Sequence, residues 1–286
     1  MFSTHRCYSF AIIALLAGCS SAPDTQDEAE STAEISQALM SSELLVAFRT
    51  NDNVHYLTAE GDGGGTVSAN RTAAGAWERF IISDLNGGSL VSGDQVQIRH
   101  VNASGSSWWV TADVNGGGIG SILRANRTVP QGWETFVISK VGGGAIGGGN
   151  QIRLQAVTHP FYVSALQGGG LAGDGSVVVD RTVAGSWETF TLLAITPNSL
   201  CPFTNALCLF DQANFGGQRF NVSSLNPNGT CVNLVDHGWG ARARSAINTN
   251  TSTPAVFPNA NCTGEPIGIS AFEPTLPLLP NSAFVF

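Results

Sequence analysis

The sequence predicts an all-β protein in which a threefold repeat is followed by a smaller, disulfide-bonded domain. Three observations carry this prediction. Helical hydrophobic periodicity is missing, one motif recurs three times, and glycine is abundant, with 34 among 286 residues. Glycine combined with scattered Val, Ile, Thr and aromatic residues favours short strands joined by tight turns.

The first residues of the chain resemble a lipoprotein signal peptide. Residues 1–18 contain Arg6 and an apolar run at 10–16 that is too short to span a bilayer. The sequence Leu-Ala-Gly-Cys that ends at Cys19 resembles a lipobox, which implies lipidation of Cys19; an ordinary signal peptide with a chance cysteine is the alternative. Ser20, the residue after the cysteine, is typical of such lipoproteins that are sorted to the outer membrane. The expected location is therefore the bacterial cell envelope, lipid-anchored at the outer membrane.

Residues 19–43 are expected to form an acidic flexible tether, because they contain six acidic residues and no Lys or Arg. The whole chain has a net charge of −8, and Lys140 is its only lysine. Nucleic acid is therefore not an expected partner, and membrane contact is expected through the lipid anchor only.

The repeated motif predicts three structural units of similar size. It begins with Asn-Arg-Thr or Asp-Arg-Thr and ends with Trp-Glu-x-Phe, in segments 70–80, 126–136 and 180–190. The Trp residues of successive copies are 56 and then 54 residues apart. Each copy follows a strand that starts with an aromatic residue and then a glycine-rich turn.

Each unit contains segments for four short strands: one upstream at 46–49, 96–99 or 152–154, the aromatic strand, one after the glycine turn, and the Trp-Glu-x-Phe segment. Twelve strands are the number in a β-trefoil, in which a barrel closes and removes bare sheet edges. The aromatic strand, the glycine turn and the Trp-Glu-x-Phe signature resemble the fascin-like β-trefoil family over residues 44–196, which implies that fold.

Several repeated side chains are interpreted as structural. An Arg precedes a Glu by seven positions in every copy, and each such pair is expected to be a semi-buried ion pair that fixes a turn. The Trp of each copy is expected to fill the core. These positions are Arg71, Glu78, Trp77, Arg127, Glu134, Trp133, Arg181, Glu188 and Trp187.

The candidate ligand contacts are side chains that differ between copies on a shared frame. Strand alternation places Leu57 and Ala59 on one face and the first aromatic residue at least partly outward. Flat aromatic rings near polar groups suit sugar rings, although shielding of the mouth of the barrel is an equal alternative. The candidates are Tyr56, Trp109, Tyr162, Asp62, Asn115 and Gln167.

Four cysteines in residues 197–286 predict two disulfides in an oxidising compartment. Three pairings are possible, and Cys201–Cys208 with Cys231–Cys262 is favoured. The segments 201–210, 214–217, 231–234 and 261–264 resemble the βγ-crystallin-like peptidase inhibitor family I36 of secreted bacterial proteins. This resemblance implies a Greek-key β-sandwich and an inhibitory loop near Cys262 and Thr263. The resemblance also implies a calcium half-site at 240–245, but this segment lacks the acidic or amide ligands and contains Arg, so it is expected to be inactive.

Motifs for catalysis are missing: there is no His-Glu-x-x-His, no Gly-x-Ser-x-Gly and no P-loop lysine. The sequence leaves open a carboxylate pair for glycoside hydrolysis, formed by two Asp or Glu residues that meet in the folded chain. We therefore expect a protein that is not an enzyme, with no catalytic residues, no metal site and no cofactor. The favoured function is binding of a glycan or surface polysaccharide through the trefoil. Inhibition of a secreted metallopeptidase is the alternative, and a structural envelope protein is the second alternative.

Overall fold

The computed structural model describes residues 43–170 and 175–286. The signal peptide, the lipidation site at Cys19 and nearly all of the acidic tether lie outside the described residues. The described residues belong to one compact unit. Among them, no helix has the length and apolar character needed to cross a membrane.

The first twelve strands form three successive groups of four, one for each sequence repeat. Repeat 1 contains β1 (Glu43–Arg49), β2 (Tyr56–Ala59), β3 (Gly65–Arg71) and β4 (Phe80–Asp84). Repeat 2 contains β5 (Gln95–Val101), β6 (Ser107–Ala112), β7 (Leu123–Arg127) and β8 (Thr135–Lys140). Repeat 3 contains β9 (Gln151–Ala156), β10 (Tyr162–Ala165), β11 (Val177–Arg181) and β12 (Phe190–Ala194).

The pairing of these strands closes a barrel. The first and fourth strands of each repeat pair in the ring β1–β4–β5–β8–β9–β12, and β12 pairs with β1. The second and third strands of each repeat form a hairpin, so three hairpins cap the ring. A closed six-stranded barrel with three hairpins is the β-trefoil that the repeats predict, and the all-β prediction is confirmed.

Alternation along the strands fills the barrel, because successive side chains point to opposite faces. Val46 and Phe48 of β1 point inward, as do Val96 and Ile98 of β5. The last residue of each Trp-Glu-x-Phe motif provides the largest inward side chain. These residues are Phe80, Phe136 and Phe190, each at most 1% exposed. The fourth strand begins at this Phe in repeats 1 and 3 and one residue before it in repeat 2, so the Trp and Glu of each motif precede the strand.

Each glycine turn packs against the next repeat, which links the three units in a circle. A Cβ on Gly63 would lie 2.2 Å from Cδ1 of Trp108 in repeat 2, and one on Gly170 would lie 2.6 Å from Cε1 of His55 in repeat 1. The turn of repeat 2 meets repeat 3 in the same way. The turns therefore need glycine for close approach as well as for their backbone angles.

The C-terminal region follows a short helix, α1 (Pro197–Leu200), and forms two four-stranded sheets. The first sheet has the order β14–β13–β16–β19 and the second has the order β15–β20–β17–β18. The strands are β13 (Leu207–Phe210), β14 (Arg219–Val222), β15 (Thr230–Asn233), β16 (Ser245–Asn248), β17 (Ala255–Phe257), β18 (Ile267–Gly268), β19 (Phe272–Glu273) and β20 (Ser282–Val285).

The two four-strand motifs of this region exchange one strand each. The third strand of the first motif, β15, lies in the second sheet, and the third strand of the second motif, β19, lies in the first. This is a two-sheet Greek-key sandwich, as expected from the resemblance. Disulfides join Cys201 to Cys208 and Cys231 to Cys262, which confirms the favoured pairing.

The trefoil and the C-terminal region share a buried apolar cluster. Leu45 and Ile81 of the barrel pack in it with Phe210 and Phe215 of the C-terminal region, and the Cys201–Cys208 disulfide belongs to it. Because this cluster is built from both sides, separating the two parts would expose its apolar surface to water.

Candidate functional site

Each repeat carries a row of alternating cationic and aromatic side chains, which we name the ladder of that repeat. In repeat 1 the register places Arg49 opposite Tyr56 and Tyr56 opposite Arg71. Residues directly opposite in antiparallel strands have their side chains on the same face. The Arg71 guanidinium in turn lies 5.7 Å from the centroid of the Trp77 ring. The ladder of repeat 1 is therefore Arg49, Tyr56, Arg71 and Trp77.

Repeats 2 and 3 contain the equivalent ladders. In repeat 2, Trp109 lies opposite both Arg99 and Arg127, and the Arg99 guanidinium is 5.9 Å from a Trp109 ring centroid. In repeat 3, Tyr162 lies opposite Gln155 and Arg181. Trp133 and Trp187 are the sequence equivalents of Trp77, and we count them as the fourth members of these two ladders. The first arginine is thus replaced by an amide in repeat 3.

The motif tryptophans are at the surface, so the prediction that they fill the core is wrong. Trp77 and Trp133 are each 36% exposed and Trp187 is 40% exposed. The core position is taken by the Phe three residues later. In repeat 1, a shallow depression of about 440 Å³ is lined by the loop from Arg71 to Glu78, including the Trp77 ring. Each repeat therefore presents an indole ring to solvent.

The buried Glu of each motif holds its own loop, and it does this through backbone hydrogen bonds. Oε2 of Glu78, Glu134 and Glu188 accepts the N–H of the residue three positions earlier, at 2.7, 2.7 and 2.6 Å. Oε1 of Glu188 also accepts the hydroxyl of Ser164 at 2.6 Å. These bonds fix the loops that carry the exposed tryptophans.

The expected Arg–Glu ion pair forms in one repeat, so this prediction is wrong for the other two. Arg127 lies 3.7 Å from Glu134. Arg71 instead pairs with Glu60 at 3.3 Å, and Arg181 pairs with Asp180 at 3.5 Å. The seven-residue spacing between Arg and Glu is constant because each residue has its own structural place. The Glu accepts a backbone hydrogen bond in its loop, and the Arg belongs to the ladder of its repeat.

The six residues predicted as ligand contacts fall into two sets, and the structure does not bring them together in one site. Tyr56, Trp109 and Tyr162 are half-buried and stand in three separate ladders. Their polar companions lie at the hairpin corners in left-handed backbone conformations. These companions are Asp62, Asn115 and Gln167, with φ of 62°, 49° and 57°.

Asp62 is already engaged in the contact between repeats. Its carboxylate accepts the backbone N–H of Ala103 at 2.7 Å and is 3.1 Å from Nε2 of the buried His100. The carbonyl oxygen of Asn115 accepts a hydrogen bond from Nδ1 of His159 at 2.7 Å. The side chains of Asn115 and Gln167 are exposed. Asp62 therefore has a structural role that the sequence did not indicate.

A second exposed feature is the loop 258–266 between β17 and β18, which we name the braced loop. The Cys231–Cys262 disulfide ties it to β15, and Oδ1 of Asn233 accepts the N–H of Asn261 at 2.6 Å. Ser282 of β20 accepts the N–H of Cys262 at 2.9 Å. Thr263 is exposed, and its hydroxyl donates to the carbonyl of Ala260 at 2.9 Å. The loop is thus fixed from two strands.

The segment 240–245, predicted to lack calcium ligands, is occupied by an arginine network. The Arg242 guanidinium donates to Asp211 and Gln218 at 2.8 Å each. It also lies 4.6 Å from the ring centroid of Trp239. Among residues 43–170 and 175–286, no cluster of His, Cys, Asp and Glu could hold a metal ion.

Three groups in the described part of the chain have shifted pKa values. Burial lowers the pKa of Arg79, although the charge of Glu78 acts in the opposite sense. Burial, with the charge of Glu43, raises the pKa of Glu273. Burial alone would raise the pKa of Asp52, but hydrogen bonds from His55, Val54 and Thr50 lower it to about 2. Asp52 lies in the loop that receives the repeat-3 hairpin.

Arg79 is the residue at which repeat 1 departs from the other two. The equivalent residues, Thr135 and Thr189, donate their hydroxyls to carbonyls four residues earlier. Arg79 instead donates to the carbonyl oxygens of Asn214 and Phe215, at 2.8 Å each. The signal was present in the sequence, as Trp-Glu-Arg-Phe against Trp-Glu-Thr-Phe.

The comparisons with known proteins follow the same division of the chain. Residues 194–269 match the family described as Peptidase inhibitor family I36. No curated protein matches the chain. The SDF2-like protein from Arabidopsis thaliana is 12% identical, with a TM-score of 0.42 over 53% of this chain and 92% of that one.

Two further solved structures are similarly distant. The designed threefold-symmetric protein ThreeFoil is 11% identical, with a TM-score of 0.41 over 53% of this chain and 99% of that one. A Polyporus squamosus lectin bound to an influenza-binding epitope is 12% identical, with a TM-score of 0.41 over 55% of this chain and 51% of that one. The strand pairing of the chain makes it an all-β protein with a β-trefoil, and its residues 194–269 match peptidase inhibitor family I36.

Proposed function

We propose that the protein is a non-enzymatic binding protein whose C-terminal region inhibits a secreted metallopeptidase through the braced loop. The observation that carries this proposal is the fixation of an exposed loop by a disulfide and by side chains of two strands. The match to the inhibitor family, over 194–269, includes the whole loop.

A fixed loop suits inhibition because it has little conformational entropy left to lose when it enters an active-site cleft. Residues Asn261 and 263–266 are exposed and thus accessible to a partner. The disulfide at Cys262 would also hold the loop in place if a peptide bond in it were cut. Thr263 next to this cysteine is the candidate contact residue.

The test is titration of a thermolysin-like metallopeptidase with the purified full chain, which reads residual peptidase activity and the integrity of the chain. We expect stoichiometric loss of activity with an intact inhibitor. Asn233→Ala removes two hydrogen bonds to Asn261, at 2.6 and 2.9 Å, and should weaken inhibition and expose the loop to cleavage. Asn228→Ala, in another exposed loop, is the matched control. Full peptidase activity at molar excess of the intact chain would refute the proposal.

Carbohydrate binding through the trefoil is a second candidate function. The observation that favours it is the surface position of one Trp in every repeat. In repeat 1 the Arg71 guanidinium lies 5.7 Å from the centroid of the Trp77 ring. Aromatic faces next to hydrogen-bond donors suit sugar rings. A glycan screen with the full chain tests this function, and an absence of binding to every glycan would refute it.

The place of action in this proposal is the bacterial cell envelope, with the chain anchored through lipid on Cys19. A lipid chain contributes about 0.8 kcal/mol per buried CH₂, so several acyl chains would hold the protein firmly. Cys19→Ala should release the chain from the membrane fraction. An unchanged membrane fraction would contradict lipid anchoring.

A further inference from the structure

The three ladders share a geometry that is too long for a single sugar ring. In repeat 1, Arg49, Tyr56 and Arg71 stand on three neighbouring strands. Strands lie about 4.8 Å apart, so these three side chains span roughly 10 Å before the row continues to Trp77. A ligand that uses the whole ladder must therefore be an extended chain.

The charges of the ladders favour a neutral ligand. Among the five ladder arginines, four have a carboxylate within 4.0 Å: Arg71, Arg99, Arg127 and Arg181 pair with Glu60, Glu43, Glu134 and Asp180. A bound polyanion would have to compete with these carboxylates. The net charge of −8 on the whole chain would repel it further.

The ladders are also prepared for binding before a ligand arrives. The Arg71, Arg127 and Arg181 side chains are 49%, 41% and 43% exposed, so their remaining N–H donors face solvent. The loops behind the exposed tryptophans are held by the buried Glu of each motif. Ordering of these loops therefore adds little to the entropic cost of binding.

We propose that each ladder binds a stretch of a neutral, linear polysaccharide. Sugar rings stack on the exposed Trp and on the half-buried Tyr or Trp, and the arginine between them donates hydrogen bonds to hydroxyl groups. One such site per repeat makes the trefoil trivalent, so a polymer that reaches several sites is held more tightly than a short oligomer. This proposal rests on the carbohydrate-binding function proposed above.

The experiment is calorimetric titration of the full chain with cellohexaose, mannohexaose and hexagalacturonate. We expect a neutral hexasaccharide to bind at three sites, one in each repeat, and glucose or mannose alone to bind far more weakly. Trp77→Ala, Trp133→Ala and Trp187→Ala should each remove one site, and the triple variant should remove all three. Val183→Ala, which changes a 78%-exposed residue in the repeat-3 loop, should keep every site.

The outcomes separate this proposal from the function on which it rests. Binding that persists unchanged in the triple variant would place the site elsewhere and overturn the ladder proposal, while carbohydrate binding would stand. Preference for hexagalacturonate would overturn the neutral ligand. If none of the three hexasaccharides binds, the ladder proposal fails, and the glycan screen decides whether the function fails as well. Thermal midpoints verify that the variants are folded, and the single variants keep the test decisive if the triple variant unfolds.

Discussion

Nη1 of Arg79 in the trefoil donates to the carbonyl oxygen of Asn214 in the C-terminal region, at 2.8 Å. The side-chain amide of Asn214 in turn donates to the carbonyl oxygen of Ala76 in the trefoil, at 3.1 Å. Asn214 is 1% exposed and sits with Phe215 at a turn where both residues have positive φ. The turn at Asn214 and Phe215 is thus a part of the C-terminal region that contacts the barrel.

Arg79→Thr should weaken this junction while leaving the trefoil intact. Threonine is the residue at this position in the other two repeats, where it fits the loop. The variant leaves two buried carbonyls without their charged donor, which costs about 2–3 kcal/mol. Chemical denaturation should show a lower free energy of unfolding. Exposed Arg244→Thr is the control, and equal stability of the two variants would contradict the role of Arg79.

Gly63→Ala should destabilise the protein more than Gly142→Ala. Both glycines have positive φ, 89° and 90°, so both variants pay the same backbone cost. A Cβ at residue 63 would collide with Trp108, whereas one at residue 142 would meet no atom within 4 Å. The difference between the unfolding free energies of the two variants therefore reports the contact between repeats, and we expect it to be about 1–3 kcal/mol. It should appear as a lower thermal midpoint for Gly63→Ala. Equal midpoints would mean that Trp108 moves aside without cost.

Glu188→Ala should be among the most damaging single changes in the trefoil. It leaves the N–H of Gly185 and the hydroxyl of Ser164 without their acceptor, and Glu188 itself is 5% exposed. Loss of buried charge-assisted hydrogen bonds predicts a cost of about 3 kcal/mol in unfolding free energy. Exposed Glu265→Ala provides the comparison. A cost similar to that of the control would show that the loop is held by other contacts.

Glu273 should make the protein less stable as the pH rises. Its pKa is raised in the folded state by burial and by the charge of Glu43, so folding favours the protonated carboxyl. The contribution is fully present below the unfolded pKa of about 4.5 and is lost as the pH rises through the folded value. Glu273→Gln, which stays neutral, should raise the unfolding free energy at pH 7 and leave it nearly unchanged at pH 4. A variant that is less stable at both pH values would contradict this assignment.

The strands and the threefold order could be predicted because they depend on local pattern. Tyr-Leu-Thr-Ala favours a strand, and β2 spans those four residues, although Thr58 is buried together with Leu57 and Ala59. The roles of Trp77 and Phe80 could not be separated in the same way. Both are large and aromatic, and which one enters the barrel depends on where the loop ends and β4 begins. That boundary is set by Glu78 folding back on Gly75.

The sequence predicted the outward aromatic residue of each ladder but not the residues beside it. Tyr56 was chosen because alternation points it outward, but its neighbours come from register. Arg49 and Arg71 meet it across two strand pairs, over 7 and 15 residues of sequence. The junction at Arg79 needed knowledge that Asn214, 135 residues further on, lies beside it. Contacts of this range follow from tertiary packing and carry no local pattern.

The trefoil begins and ends on neighbouring strands, since Val46 of β1 lies opposite Ala194 of β12. Opposed residues in antiparallel strands are about 4.5–5.5 Å apart at Cα. The chain therefore enters and leaves the barrel at nearly the same point. The two ends of a 149-residue segment are as close together as the ends of a short linker. The barrel is in this sense a portable cassette: its duplication, exchange or removal changes what the protein carries without changing the separation of the sequences on either side.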